Sequence, residues 1–204
     1  KGDKSLSKRD FLRVIKPLEK FGAKFNSNYG KLPIRIQGTN NSKPIKYYEN
    51  KGSAQCKSAV MFAALNTQGE TIIKAKKSRD HSELLFKNLK LPIKVIKRKK
   101  HDIIKIKGGK KIPALNYKIP SDISSAAFFV VLTALSKNSR LKIKNININP
   151  SRMGLLYILK LMGVKISKIN IRNYKGEKVA DLIIKSTNKI KPINCPVNLN
   201  SSAI

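Results

Sequence analysis

The sequence predicts an α/β protein built from a repeated unit of helices and strands. Segments with apolar residues at helical spacing alternate with segments in which isoleucine and lysine alternate at period two. Helix starts recur along the chain, since 70 positions separate Arg9 from Arg79 and 73 separate Arg79 from Arg152. A period this long indicates duplicated supersecondary units, each reading helix, strand, helix and then two strands.

The first helical segment opens near Arg9, and Gly22 is its candidate C-terminal cap. Apolar residues recur on one face of this segment. They are Phe11, Val14, Ile15, Leu18 and Phe21. A strand-like segment at residues 32–36 and a polar loop at residues 38–42 follow, which completes a helix-and-strand unit.

A second helix is predicted within residues 52–65, between the strand-like segments 44–48 and 70–73. Ala59, Ala63 and larger apolar residues recur there at helical spacing, and Ser53 can accept a hydrogen bond from a first-turn amide. Such a helix end presents unpaired N–H groups and positive dipole density, which suits an anion. The local pattern also fits an ordinary capped core helix.

Later parts of the chain repeat this arrangement. Helices are predicted from Arg79 and Arg152, with Gly163 ending the second and Pro92 standing where glycine would end the first. Residues 53–73 parallel residues 123–143 at an offset of 70. The sequence therefore contains several copies of one unit.

The net charge of +33 over 204 residues raises the alternative of a basic RNA-binding module. In residues 93–97, 103–107 and 141–144 lysine largely alternates with isoleucine, which places those lysines on the solvent-exposed face of half-buried strands. The basic residues are also spread across many elements of the chain. Residues 97–100 form the densest basic cluster and fall at a predicted hairpin turn. A solvated basic surface is therefore the preferred interpretation, with no nucleic-acid partner expected.

Composition also excludes several classes of protein. With 41% hydrophobic and 27% charged residues the chain can bury a core, yet no apolar run approaches the roughly 20 residues that span a bilayer. The charged start is unlike a secretory signal, so we expect a cytoplasmic protein. Cys56 and Cys195 match no metal-ligand spacing, and we expect both to be free thiols in that reducing compartment. No nucleophile–base set, phosphate loop or dinucleotide motif is present, and we expect no metal and no cofactor.

Five stretches resemble the 5-enolpyruvylshikimate-3-phosphate synthase family, and they occur in that family's order. They are residues 2–9, 52–60, 78–83, 120–128 and 149–156. The resemblance implies an α/β, two-lobed enolpyruvyl transferase fold, with inverted barrel-like lobes of repeated βαβαββ units and an active site in the cleft between them. Residues 1–118 would be part of the first lobe and residues 119–204 the start of the second.

The resemblance further implies that the chain is an internal fragment about half as long as the enzyme, with Lys1 not the natural start. The implied reaction transfers the carboxyvinyl group of phosphoenolpyruvate to the 5-hydroxyl of shikimate 3-phosphate. The general base is expected just after Ile204, so no catalytic residue is expected within the chain, which should be inactive alone. The complete enzyme is expected to be a monomer with these two small-molecule partners and no membrane association.

The resemblance assigns substrate contacts to particular residues. Arg9 would bind phosphoenolpyruvate, although Asp10 stands where the family has proline. Ser53, Ala54 and Gln55 would bind shikimate 3-phosphate, and Gln55 would also reach phosphoenolpyruvate. Other members carry a second serine where Ala54 stands, so one hydroxyl contact is missing.

Arg79 matches an arginine that reaches the shikimate phosphate in part of the family. The alternative is charge pairing at a helix start, with Asp80 or Glu83. Lys57 lies one turn into the second helix and could neutralise phosphate, although the family does not single it out.

The second lobe contains residues that repeat this motif: Ser124, Ser125 and Arg152. We interpret them as structural copies without a substrate contact. His81, next to Arg79, is interpreted as a surface residue.

The nearest alternative within the same fold is the enolpyruvyl transferase that acts on UDP-N-acetylglucosamine. That family relies on a reactive cysteine in a loop. Cys56 falls inside a predicted helix, which disfavours this alternative.

Overall fold

The computed structural model describes residues 3–203, without the side chain of Ser201. Lys1, Gly2 and Ile204 lie outside the described residues. The predictions on the natural start, on Gly2 as the first residue of the stretch 2–9, and on the general base after Ile204 therefore lie outside them too. Contacts divide the chain into two compact units, Lys1–Pro113 and Ala114–Ile204, called unit 1 and unit 2 below.

Unit 1 contains four helices and six strands among its described residues. The helices are α1 (Lys4–Ser7), α2 (Leu12–Glu19), α3 (Ala54–Leu65) and α4 (His81–Asn88). The strands are β1 (Lys24–Asn28), β2 (Lys31–Gln37), β3 (Lys46–Glu49), β4 (Glu70–Lys76), β5 (Ile93–Ile96) and β6 (His101–Lys107).

Two sheets organise unit 1. Strands β1 and β2 form an antiparallel hairpin, and the second sheet has the order β3-β4-β6-β5. Strands β3 and β4 are parallel, with Tyr47 opposite Ile73, so α3 is the crossover helix of a βαβ unit. The antiparallel pairs β4–β6 and β5–β6 complete this sheet. The start of α3 therefore follows directly from the end of β3.

Unit 2 repeats this order with fewer strands. Its elements are α5 (Ile123–Leu135), β7 (Arg140–Asn147), a 3₁₀ turn (Pro150–Arg152), α6 (Gly154–Leu161), β8 (Lys165–Tyr174), β9 (Glu177–Lys185), a second 3₁₀ turn (Val197–Leu199) and α7 (Asn200–Ala203). The sheet order is β7-β9-β8, and a parallel bridge joins Ser121 to Ile146 where a first strand would pair.

The predicted duplication is confirmed by topology. The strand orders β4-β6-β5 and β7-β9-β8 are equivalent, and α3 and α5 precede the first strand of each set. The predicted offset of 70 is wrong by one residue at the helix start: the N-caps Ser53 and Asp122 are 69 positions apart, whereas β4 and β7 begin 70 apart. The reason is that α5 has 13 residues and α3 has 12.

Each unit has its own apolar core. The core of unit 1 lies between α3, α4 and the four-stranded sheet, with Met61, Phe86 and Ile104 fully buried. The core of unit 2 packs α5 and α6 against its sheet, with Val130 and Leu182 at its centre. Each such side chain contributes about 1.5–3 kcal/mol by burial. The start of α3 is thus fixed to a packed scaffold.

The ends of the repeated helices also match. Gly22 and Gly163 adopt φ of +104° and +96°, as their positions after α2 and α6 predict. The prediction that Pro92 takes this position after α4 is wrong, because Lys90 has the positive φ of +54°. The Leu91 N–H then donates to the Phe86 carbonyl, and the Val164 N–H donates to the Leu159 carbonyl, both at 2.9 Å. Lys90 and Gly163 therefore end their helices with the same C-terminal capping motif.

The repeated arginines precede their helices instead of opening them. Helix α2 begins three residues after Arg9, and α4 begins two residues after Arg79. Arg152 was predicted to open a helix, but it ends a 3₁₀ turn that Asn149 caps through the Ser151 N–H. The connecting turn therefore carries each arginine, and the helix follows it.

The alternating lysines occupy the predicted positions on the sheets. Lys94, Lys107, Lys142 and Lys144 are exposed, while Ile104 and Ile106 are fully buried. Residues 97–100 connect the antiparallel strands β5 and β6, as predicted. Among residues 3–203, no helix is both long enough and apolar enough to cross a bilayer.

Candidate functional site

The N-terminus of α3 is capped as the sequence predicts. The Cys56 N–H donates to Ser53 Oγ at 3.2 Å, so Ser53 is the N-cap residue. The Ser53 hydroxyl keeps its proton for a further acceptor, because a serine hydroxyl both donates and accepts. The amides of Ala54 and Gln55, in the first turn, have no acceptor within the helix. This end of α3 therefore concentrates donors.

A buried carboxylate holds the loop that leads into α3. Glu49, at the end of β3, accepts hydrogen bonds from the Gly52 N–H at 2.7 Å and the Lys51 N–H at 3.0 Å. Gly52 adopts φ of +73°, and a Cβ there would lie 3.4 Å from the Lys77 carbonyl oxygen. The loop that carries Arg79 therefore passes close to the start of α3. Sequence reasoning missed Glu49, because a lone acidic residue at a strand end has no distinctive pattern.

Lys57 does not face the start of α3 as a phosphate ligand, so that sequence interpretation is wrong. Its side chain is buried, and Nζ lies 2.7 Å from Glu83 Oε1 and donates to the Arg79 carbonyl at 2.7 Å. The reason is the packing of α3, which directs Lys57 inward toward α4. Glu83 is thus engaged with Lys57, while Asp80 lies 3.7 Å from Lys97.

Lys97 connects two acidic residues near this loop. Its Nζ lies 3.1 Å from Asp102 Oδ2 and 3.7 Å from Asp80. Burial lowers the pKa of Lys97, but its hydrogen bond to Asp102 and the nearby carboxylates outweigh that effect and raise the pKa above its usual value. Lys97 therefore stays charged and ties the turn after β5 to the loop before α4.

Gln55 is brought together with a cation that sequence reasoning missed. Arg13, on α2, donates from Nη2 to Gln55 Oε1 at 2.7 Å. The bond uses the acceptor of the Gln55 amide and leaves Nε2 as a donor. Helix α2, which follows Arg9, is therefore linked to the start of α3.

Four cations and one carboxylate line an open pocket of about 460 Å³ beside α2. The lining residues are Arg9, Asp10, Leu12, Arg13, Lys16 and Lys51. Arg9 is the only one of the predicted substrate contacts in this set, so the pocket adds Arg13, Lys16 and Lys51 to the site. In the sequence these three resemble the ordinary charged face of an amphipathic helix and its flanking loop, which explains why they were missed.

Asp10 does not form an ion pair with the adjacent Arg9. Its Oδ1 accepts a hydrogen bond from the Leu12 N–H at 2.9 Å, a local turn that sets the start of α2. Among the ion pairs of the described residues there is none between Asp10 and Arg9. Asp10, at the position where the resemblance expects proline, therefore fixes the backbone at the start of α2 through this hydrogen bond.

In unit 2, the residues that repeat the motif form hydrogen bonds with one another. Asp122 is the N-cap of α5, accepting from the Ser125 N–H at 3.2 Å. Arg152 Nη2 donates to Asp122 Oδ1 and, at 2.7 Å, to Ser124 Oγ. Burial opposes ionisation of Asp122, but Arg152 and the hydrogen bonds from Ser124 and Ser125 hold its pKa below the usual value.

The two cysteines and two histidines lie in four different segments of the chain. Cys56 is buried in the first turn of α3, and Cys195 is exposed in unit 2. His81 begins α4 and His101 begins β6, both half-buried. Within the part of the chain that the structure describes, no group of three or more His, Cys, Asp or Glu side chains could hold a metal ion.

Solved structures similar to this chain include an EPSP synthase and an enolpyruvyl transferase. The EPSP synthase of Acinetobacter baumannii matches with a TM-score of 0.82 and 36% identity, over 99% of this chain and 45% of that one. The enolpyruvyl transferase NikO of Streptomyces tendae matches with a TM-score of 0.60 at 13% identity, over 90% of this chain and 43% of that one, which shows the fold alone. The predicted fold class is confirmed.

Curated relatives point to one family. The 3-phosphoshikimate 1-carboxyvinyltransferase of Ruthia magnifica subsp. Calyptogena magnifica is 44% identical over this whole chain and 46% of its own length. That of Endomicrobium trichonymphae is 41% identical over 97% of this chain and 45% of its own length. The family described as EPSP synthase (3-phosphoshikimate 1-carboxyvinyltransferase) matches residues 1–201, and the chain belongs to it. The chain spans slightly less than half the length of these relatives.

Proposed function

We propose that this chain contributes to the transfer of the carboxyvinyl group of phosphoenolpyruvate to the 5-hydroxyl of shikimate 3-phosphate. The observation that carries the proposal is the link between Gln55 and Arg13, which joins the donor-rich start of α3 to a pocket lined by four cations. Two anionic substrates that react with each other require two adjoining cationic sites, because each carries charge that the protein must compensate.

The proposed contacts divide between the two substrates. Ser53 would donate its hydroxyl and Ala54 its amide to the phosphate of shikimate 3-phosphate, with Arg79 in the adjacent loop. Arg9 would bind the carboxylate or phosphate of phosphoenolpyruvate, which suits its planar, two-pronged donor geometry. Gln55 would lie between them and use its Nε2 donor, since Arg13 already occupies Oε1.

The net chemistry makes one C–O bond and breaks another. The 5-oxygen of shikimate 3-phosphate becomes bonded to C2 of phosphoenolpyruvate, the C2–O bond to phosphate breaks, and the hydroxyl proton is released. The residues described here would bind and orient the reactants and compensate the charge of the departing phosphate. No general base is assigned to them.

The internal duplication supports an anion site in unit 1. In unit 2 Arg152 donates a hydrogen bond to the carboxylate of the N-cap residue Asp122. The charge of this arginine is therefore compensated by a side chain of unit 2 itself. In unit 1 the equivalent N-cap is Ser53, which caps α3 without a charge. An external phosphate can therefore supply in unit 1 the negative charge that Asp122 supplies in unit 2.

The alternatives weighed from the sequence lack such support. The transferase acting on UDP-N-acetylglucosamine needs a reactive cysteine in a loop, whereas Cys56 is buried in α3. An RNA-binding module needs cations concentrated on one surface, whereas many lysines lie on separate strands of both units. A cytoplasmic location, a monomeric complete enzyme and a lobe boundary between residues 118 and 119 belong to the same proposal.

Binding to the chain itself tests the proposal, because every assigned contact lies in unit 1. Shikimate 3-phosphate, titrated into ¹⁵N-labelled chain, should shift the amide resonances of Ala54 and Gln55, and phosphoenolpyruvate should then shift those around Arg9. Shifts confined to scattered lysine amides, or equal shifts with a short RNA, would refute the assignment.

Turnover needs a longer protein. A chimera in which this chain replaces the matching stretch of the Ruthia magnifica relative should form 5-enolpyruvylshikimate 3-phosphate and phosphate from the two substrates. A folded chimera without this activity, next to an active parent, would contradict the proposed function.

A further inference from the structure

We propose that the buried ion pair between Lys57 and Glu83 is a positioning device that fixes the backbone of Arg79 beside the start of α3. This inference rests on the proposed function, in which Arg79 reaches the phosphate of shikimate 3-phosphate. It assigns a role to two residues that do not themselves touch substrate.

The geometry links three elements through one ammonium group. Lys57 lies on α3, one turn after the N-cap, and its Nζ is 2.7 Å from Glu83 Oε1 on α4. The same Nζ donates to the Arg79 carbonyl at 2.7 Å. The loop backbone at Arg79 is therefore held by the helix whose first turn carries the proposed phosphate donors.

A second contact ties the same two helices. Ser58 Oγ and Ser82 Oγ lie 2.6 Å apart, one position beyond Lys57 and one before Glu83. At the other side of the loop, the Lys77 carbonyl oxygen lies within van der Waals reach of Gly52, since a Cβ there would be 3.4 Å from it. The loop of Arg79 thus contacts α3 through Lys57 and contacts the segment before α3 at Gly52.

Burial indicates that this pair serves position more than stability. The Lys57 and Glu83 side chains are only 3% and 4% exposed, and Glu83 Oε2 has no hydrogen-bond partner among the described residues. A buried pair with one unsatisfied oxygen recovers little of its desolvation cost, and well-packed apolar residues of similar volume are often as stable or more so. What apolar residues cannot do is donate a hydrogen bond to the Arg79 carbonyl.

The main test removes the pair and keeps its volume. In the full chain, Lys57→Met with Glu83→Leu should leave the thermal unfolding midpoint equal or higher. The dissociation constant for shikimate 3-phosphate, measured by calorimetry, should rise about tenfold, within the range of coupling between contacting residues. In the chimera, the KM for shikimate 3-phosphate should rise by a similar factor while the KM for phosphoenolpyruvate stays unchanged.

A double-mutant cycle with Arg79→Ala separates positioning from general damage. Once Arg79 is alanine, removing the pair should weaken shikimate 3-phosphate no further. An equal loss with and without the Arg79 side chain would overturn the inference. If Arg79→Ala itself leaves affinity unchanged, the role of Arg79 in the proposed function fails instead.

Two further variants supply matched comparisons. Glu83→Gln keeps an acceptor for Lys57, whose Nζ still reaches the Arg79 carbonyl, so it should lose less affinity than the pair deletion. The control is the ion pair between Lys105 on β6 and Glu70 on β4, which is 3.7 Å long and whose side chains are 38% and 37% exposed. Lys105→Met with Glu70→Leu should not change affinity.

A measurement on the unmodified chain covers the case in which the pair deletion does not fold. The buried Lys57 ammonium should give a slowly exchanging ¹⁵N-ammonium resonance, and that resonance should shift when shikimate 3-phosphate binds. A Lys57 ammonium resonance that does not respond to saturating shikimate 3-phosphate would overturn the inference.

Discussion

Replacing Ser53 with aspartate should strongly weaken the proposed binding of shikimate 3-phosphate in unit 1 without weakening the fold. The substitution reproduces the N-cap of α5, where Asp122 accepts from the Ser125 N–H and from Arg152. Aspartate and serine are equally good N-cap residues, and a negative charge suits a helix start, so the free energy of unfolding should change by no more than about 0.5 kcal/mol.

The loss of affinity follows from charge. Two unit charges about 4 Å apart repel by about 4 kcal/mol at the effective dielectric constant near a protein surface. Ser53 is half-buried, and water reduces this value, so we expect about 2–4 kcal/mol. Because about 1.4 kcal/mol corresponds to a factor of ten, shikimate 3-phosphate should bind about 30-fold to several hundred-fold more weakly.

The assay compares three variants of the full chain by calorimetry, with urea unfolding as the check on folding. Ser53→Asn caps the helix and adds no charge, so it isolates the effect of the carboxylate from the effect of size. Ser53→Ala removes both cap and hydroxyl, and should lower stability by about 0.5–2 kcal/mol. Equal affinity of Ser53→Asp and Ser53→Asn for shikimate 3-phosphate would refute the argument from charge.

The reciprocal change tests the same reasoning in unit 2. Asp122→Ser keeps an N-cap on α5 but removes the carboxylate that occupies Arg152. Inorganic phosphate should then shift the amide resonances of Ser124 and Ser125, which it should not do in the unmodified chain. Absence of such shifts in the folded variant would show that the two helix ends differ in more than this one charge.

Three other predictions concern single residues. Arg9→Ala should weaken phosphoenolpyruvate binding in the chimera by about 1.5–3 kcal/mol, and Arg9→Lys should restore only part of it, as KM measurements can show. Lys90→Gly should raise the urea unfolding free energy by about 1 kcal/mol, because lysine is strained at φ of +54°, whereas Gly163→Ala should lower it by a similar amount. Hydrogen bonds from Asn145 and Asn170 lower the pKa of Asp181 to about 2. The contribution of this carboxylate to stability is therefore present above pH 4 and is lost as pH falls toward 2. Asp181→Asn should remove that part of the acid unfolding transition measured by circular dichroism.

The repeated architecture could be predicted because it depends on periodic signals. The alternation of isoleucine and lysine in β5, β6 and β7 and the apolar spacing in α3 are local patterns that burial enforces. The cap at Ser53 and the glycine ends of α2 and α6 are equally local, since each is a choice of residue for one backbone conformation.

What could not be predicted depends on contacts between distant parts of the chain. Arg13 meets Gln55 across 42 positions, and only the packing of α2 beside α3 brings them together. Lys57 was misjudged for the same reason, because its inward direction is set by α4 and not by its place in the helix. Lys90 takes the conformation of a glycine against local preference, since the tertiary fold requires the motif to close there.

Duplication makes the difference between the two helix starts informative. Units 1 and 2 share strand order, capped helices and an arginine two residues before the next helix, so the fold by itself gives no reason for one copy to bind an anion and the other not. The residues at the two N-caps differ in charge, because Ser53 is neutral and Asp122 is ionised and engaged with Arg152. A site that contains its own carboxylate has no need of a phosphate, whereas a neutral cap beside a basic pocket attracts one. In the proposed function, the difference in anion binding between the two units is therefore assigned to the cap residue more than to the helix that it caps.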